Sequence, residues 1–228
     1  MTQQSPVATW PRVALMQRLA LAVARGMPWW TSGEVRAERI PALIAKMHER
    51  HGANAGLSEQ RSRRRAGLPR SRLLILAPPM GASVERVPWW LLATEDKLQG
   101  ESLENAADRG HRIYMRDFEL VRLVSAGNGT NWTWRVKPDA WARYVDQGEH
   151  LAKAARRAGR GAGRQDPRTA QRFIDRLGTW PGMAGINQQR AALFHTMAVL
   201  SHGTLHIPRF AVPRFIPSPK PTLPECND

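Results

Sequence analysis

Cysteine is almost missing from this chain. Cys226 stands alone among 228 residues, which excludes an internal disulfide and any multi-cysteine zinc site. Long apolar runs are missing too. None approaches the roughly 18–20 residues that cross a bilayer. Arg18 and Arg25 interrupt the stretch 13–23 that a secretory leader would need to keep apolar. The expected location is therefore cytoplasmic, with no membrane contact. Acid is scarce: 19 Asp and Glu face 34 Lys and Arg, for a formal net charge of +15. Lysine is scarce within that excess. Only Lys46, Lys97, Lys137, Lys153 and Lys220 are lysines, so 29 cations are arginine. GC-rich codons account for arginine in place of lysine but not for the surplus of cation over anion. A surplus of that size points to a polyanionic partner.

What is present supports a packed interior: 42% of the residues are hydrophobic, enough for one full core or one domain with an appendage. The best-specified stretch is 118–145. Two β-forming runs, 118–124 and 131–136, flank Gly127-Asn128-Gly129, and Asn-Gly supplies the positive φ angles of a type I′ hairpin turn. A two-residue turn there would set Leu123 against Trp134 and Val121 against Val136. It would also set Arg122 opposite Arg135 on a face open to solvent or ligand, a like-charge pair that an anion could relieve. A helix over 139–158 follows, with Trp141, Tyr144, Val145 and Leu151 at helical spacing.

The remaining elements follow from periodicity and breakers. Thr9 and Pro11 open a helix that Gly26 ends, and Thr31 or Ser32 opens a second through Arg50 with Pro41 as a kink. Residues 53–71 crowd arginines among Ser and Gly and read as a linker or exposed loop. Runs 73–77, 87–94 and 112–116 read as strands, and a short helix capped by Ser102 falls within 95–109. Residues 156–164 hold three glycines in a flexible basic loop, and helices over 167–178 and 185–201 follow. Six prolines after Ile207 dictate an extended arm. The expected fold is α+β: one mainly antiparallel sheet of about five strands with helices before and after it. The parts expected are an N-terminal helical part (1–57), a basic linker (58–71), an α+β core with C-terminal helices (72–206) and a proline-rich tail (207–228).

Candidate binding residues are cations grouped where little acid answers them. Arg61, Arg63, Arg64, Arg65, Arg70 and Arg72 form one group, and Arg122 and Arg135 lie on the hairpin. Lys153, Arg156, Arg157, Arg160, Arg164, Arg168, Arg172 and Arg176 form the third, with the last three at i, i+4, i+8. Such side chains position a protein on phosphates. No catalytic residue, metal ligand or cofactor is assigned. His48 and His51 at i, i+3 lack further ligands at matching spacing, and the glycines of 159–163 lack the Lys-Ser/Thr of a phosphate-binding loop. His111, Tyr114, His195, His202 and His206 are of the types a metal-independent ribonuclease uses. Trp29-Trp30 and Trp89-Trp90 are read either as core under helices on two faces or as stacking platforms for bases.

The segments VPWWLLAT (87–94), FELVRLV (118–124) and WTWRV (132–136), with the basic helix after them, resemble small accessory proteins of proteobacterial conjugative plasmids and integrating elements. The resemblance covers about 72–157. It implies a part in maintenance, transfer or defence of such an element and carries over no functional residue. Three functions are expected to compete. One is non-catalytic nucleic-acid binding, to DNA before RNA. Another is an RNA-binding or metal-independent RNA-processing subunit of a CRISPR-type ribonucleoprotein. The last is a factor for an acidic protein partner, docked elsewhere through its proline-rich tail.

Overall fold

The computed structural model describes residues 9–78, 84–124, 130–159 and 167–207. The expected Asn-Gly turn, the glycine-rich loop at 160–166 with Arg160 and Arg164, and the tail from 208 onward lie outside the described residues. The fold is α+β, with six α-helices and two sheets among the described residues. The chain forms two compact units, one built on 9–113 and the other on 114–123 and 133–207.

The first unit is a sheet between helices. Its strands are β1 (Thr9–Trp10), β2 (Trp29–Arg36), β3 (Ser71–Leu76), β4 (Arg86–Ala93) and β5 (Glu104–Asn105), in the order β1-β3-β4-β2-β5. Pairing is antiparallel from β3 to β5, and β1 joins β3 in parallel. Because β2 is antiparallel to β4 and β4 to β3, β1 and β2 run the same way. Parallel strands need a crossover, so helix α1 (Arg12–Ala24), which joins them, must return against the strand direction. It packs on β3 and buries Leu15, Met16, Leu19, Ala22 and Val23. Helices α2 (Ile40–His51) and α3 (Leu57–Arg65) lie between β2 and β3 in sequence. On the α2 side, Met47 and Ala53 pack with Leu73, Ile75, Val87 and Leu91.

Strand parity accounts for the tryptophan pairs. Trp89 packs into the α2-side cluster, whereas its neighbour Trp90 points the other way and is also buried. Trp29 and Trp30 divide likewise. Both pairs are therefore packing residues between layers, not exposed platforms.

Several expectations need correction here. The helix placed from Thr31 or Ser32 is strand β2 through Arg36, paired residue by residue with β4. Trp29-Trp30-Thr31 and Val35 suit a pleated surface better than a helix. The helix itself begins at Ile40, and Pro41 sits in its first turn rather than kinking it, since a missing N–H costs nothing there. Thr9 lies in β1 instead of capping α1. The arginine-rich stretch forms α3 within the expected linker, with Glu59 in its first turn and Arg63, Arg64 and Arg65 in its last, as the helix dipole favours. Within 95–109 the structure has strand β5 and turns instead of a helix. The single expected sheet is two sheets.

The second unit joins a small sheet to three helices. Strands β6 (Tyr114–Met115), β7 (Phe118–Val124) and β8 (Thr130–Val136) lie in that order. Helices α4 (Pro138–Gly159), α5 (Pro167–Gly178) and α6 (Ala184–Ser201) enclose Leu151, Phe173, Ile174, Leu177, Leu193 and Met197. Gly148 lets the helices close up: a Cβ there would stand 2.8 Å from Leu193 Cδ1. The free edge of β8 is covered by a side chain. Gln189 accepts from the Val136 amide at 2.7 Å and donates to its carbonyl at 3.2 Å, as a neighbouring strand would.

Candidate nucleic-acid interface

The hairpin's register differs from the two-residue-turn expectation. Strands β7 and β8 end level, and the Lys137 amide donates to the Asp117 carbonyl at 2.8 Å. That alignment sets Glu119, not Arg122, opposite Arg135. The shift is odd, so it exchanges faces. Arg135 Nε meets Glu119 Oε1 at 2.6 Å, with the carboxylate buried. Leu120, not Leu123, stands opposite Trp134. Burial of Phe118, Leu120, Trp134 and Val136 on one face and the ion pair on the other decide this register. Arg122 is exposed on β7. The two arginines thus do not form the like-charge pair expected of them.

The other candidates fall into three settings. On α3, Arg61, Arg64 and Arg65 are exposed and line a cleft of about 360 Å³ among the described residues. Arg63 turns inward instead, its guanidinium lying where a Cβ of Gly52 would clash at 2.7 Å. Gly52 caps α2 in the left-handed conformation (φ 60°), which leaves room for that side chain. In the second unit Lys153 is paired with Glu149 at 2.9 Å, and Arg156 and Arg157 occupy the last turn of α4. Arg168, Arg172 and Arg176 are exposed along α5. At about 1.5 Å of rise per residue they stand roughly 6 Å apart along the helix axis. Arg176 also reaches Gln147 at 3.4 Å and the Phe173 ring.

Arg70 and Arg72 enter a different arrangement. The Thr94 amide donates to the Arg70 carbonyl at 3.0 Å, which extends the β3–β4 ladder to Arg70. Arg70 and Arg72 therefore project to one face of the sheet, two residues apart. Leu74 and Leu76 continue that face, and Trp10 of β1 lies level with Leu76. Arg18 of α1 stacks on the Trp10 ring, 4.3 Å from its centroid, so α1 covers this face. Because α1 runs back toward the start of β3, its last residues end beside Arg70 and Arg72. Arg25 caps it there. Burial lowers the pKa of Arg72, and Arg18, Arg25 and Arg70 push it lower still. Guanidinium keeps its proton at any ordinary pH, so that pressure is borne as repulsion. Among the described residues no carboxylate lies within 4.0 Å of any of the four.

Arg18 and Arg25 were not among the residues expected to bind. Their signal was legible: seven residues apart, they share one face of α1. What hid it was the position of α1 on β3, which only the parallel β1–β3 pairing discloses.

The histidines are dispersed. His51 is buried with Nε2 3.6 Å from Glu101 Oε1, and burial outweighs that carboxylate to lower its pKa. His48 lies 3.9 Å from Glu59 and His111 3.4 Å from Glu104. Tyr114 carries Lys137 Nζ over its ring, and His195, His202 and His206 are exposed. Among the described residues no three His, Cys, Asp or Glu side chains gather as metal ligands would. Nor is any helix among them long and apolar enough to cross a membrane. No protein-family model, curated protein or solved structure matches this chain.

Proposed function

We propose that the protein binds nucleic acid through the phosphate backbone, DNA before RNA, without catalysing a reaction on it. The observation that carries this reading is the arginine cluster of α1 and β3. Like charges brought together without a carboxylate cost stability, and a phosphate would turn that cost into binding. The exposed arginines of α3 and α5 supply further contacts that track a backbone without reading bases. Maintenance or transfer of a mobile element is a setting that suits such a protein. The same cations would also attract an acidic protein, so salt dependence is the first test. For nucleic acid, log affinity should fall linearly with log salt, by roughly 0.7–0.9 per neutralised phosphate. Replacing Arg18, Arg25, Arg70 and Arg72 together by Gln should flatten that slope. A slope near zero, or one indifferent to the four substitutions, overturns the reading.

A further inference from the structure

The cluster is not built like the other basic surfaces. Along α5 the cations form an open row, which fits a chain passing by, one phosphate per arginine. At the start of β3 they converge. Arg72 rises from the sheet face as a floor, Arg70 flanks it along the strand, and α1 brings Arg18 and Arg25 from above. Arg72 and Arg70 are half-buried, and Arg18 is held in orientation by the Trp10 ring.

Convergence changes which phosphate fits. A phosphodiester in the middle of a strand bears one negative charge, and the chain must leave on both sides. A terminal phosphomonoester bears about 1.5 to 2 negative charges and three strong acceptor oxygens. It enters from one side only, as a helix lying over the sheet requires. Planar guanidinium groups suit it, since each can offer two parallel N–H donors to two of its oxygens.

We propose that Arg18, Arg25, Arg70 and Arg72 form a pocket for the phosphomonoester end of a nucleic acid strand. This rests on the nucleic-acid reading above and deepens it. In that arrangement the end anchors at Arg72, and exposed arginines elsewhere meet the following phosphates.

The test compares one oligonucleotide sequence prepared with a 5′-phosphate, a 3′-phosphate or hydroxyls at both ends, each titrated by fluorescence anisotropy. One phosphorylated form should bind about tenfold or more tightly than the hydroxyl form, the size of a lost charge-assisted contact. Arg72→Gln should abolish the preference while retaining salt-sensitive binding, with circular dichroism verifying the fold. Arg72→Lys, which keeps the charge but not the fork, should restore part of it. Inorganic phosphate should compete selectively with the phosphorylated oligonucleotide. Equal, salt-sensitive affinity for all three forms would overturn the end pocket and leave backbone binding standing. Absence of binding to every form at low salt would overturn both. A folded Arg72→Gln protein that still prefers the phosphorylated end would place the pocket elsewhere and overturn this assignment.

Discussion

Arginine is withdrawn from water in both units, yet it is answered in only one of them. In the second unit Arg190 is 4% exposed and bonded on several sides. Its guanidinium donates to the carbonyls of Gly178 at 3.2 Å and Leu177 and Trp180 at 3.5 Å, and to Asn187 Oδ1 at 2.7 Å. Those carbonyls are the open C-terminal end of α5, where a cation is favoured by the helix dipole. Arg135 is half-buried against Glu119. At the start of β3, Arg72 is also half-buried, but the charges that press on it are Arg18, Arg25 and Arg70. The first two arginines complete a fold. The third strains one, and a charge left under strain by folding is the better candidate for a partner that is not yet bound.

The comparison breaks first at Arg190. Replacing it by Met keeps the volume but leaves three carbonyls and Asn187 without their donor. Loss of several buried bonds to a charged group should destabilise the second unit by about 3 kcal/mol, with nucleic-acid affinity unchanged. Calorimetric unfolding checks this. A melting temperature near wild type would mean that water replaces the guanidinium and that burial is a poor guide to role here.

Arg135 should behave in the same way with a smaller effect. Arg135→Gln leaves the Glu119 carboxylate buried and unanswered by charge, at a cost of about 1–2 kcal/mol after allowing for the arginine's partial exposure. The double change Arg122→Gln with Arg135→Gln should therefore lower stability rather than relieve repulsion. Denaturant unfolding and anisotropy on that one protein separate the two roles. Intact stability with weakened binding would return Arg135 to the interface.

These contrasts show where sequence was a sufficient guide and where it was not. Helices α4, α5 and α6 were legible because each carries its own apolar stripe and its own breakers, such as Pro167 and Gly178. Strands β3, β4, β7 and β8 were legible because continuous β-forming runs end at turn residues. Strand β2 was not. Thr31 and Ser32 serve equally as helix caps, and only pairing with β4 decides between the two. The register of β7 on β8 was missed for a related reason. Asn-Gly is a strong local signal, but a buried Glu119 facing Arg135 and a buried Leu120 facing Trp134 outweigh it. The candidate site was half legible. Arg70 and Arg72 stood out as charge in sequence, while Arg18 and Arg25 join them only through the crossover helix.

The smallest effect expected is the most discriminating, because its sign is reversed. Arg72→Gln removes the one guanidinium that three others press upon. Relief of like-charge repulsion is worth about 0.5 kcal/mol, so the first unit should be as stable as wild type or slightly more so. Salt supplies an internal control. At low ionic strength the wild-type cluster repels itself over the full screening length of roughly 30 Å at 0.01 M, and at 1 M over about 3 Å. Wild-type stability should therefore rise with added sodium chloride more steeply than that of Arg72→Gln, and the two curves should converge. Arg190→Met should show no such convergence, since its partners are dipoles at contact distance, which salt screens little. If Arg72→Gln instead lost 1 kcal/mol or more at every salt concentration, Arg72 would be an anchoring residue like Arg190. The contrast between answered and unanswered arginines would then fall, and the β3 cluster with it.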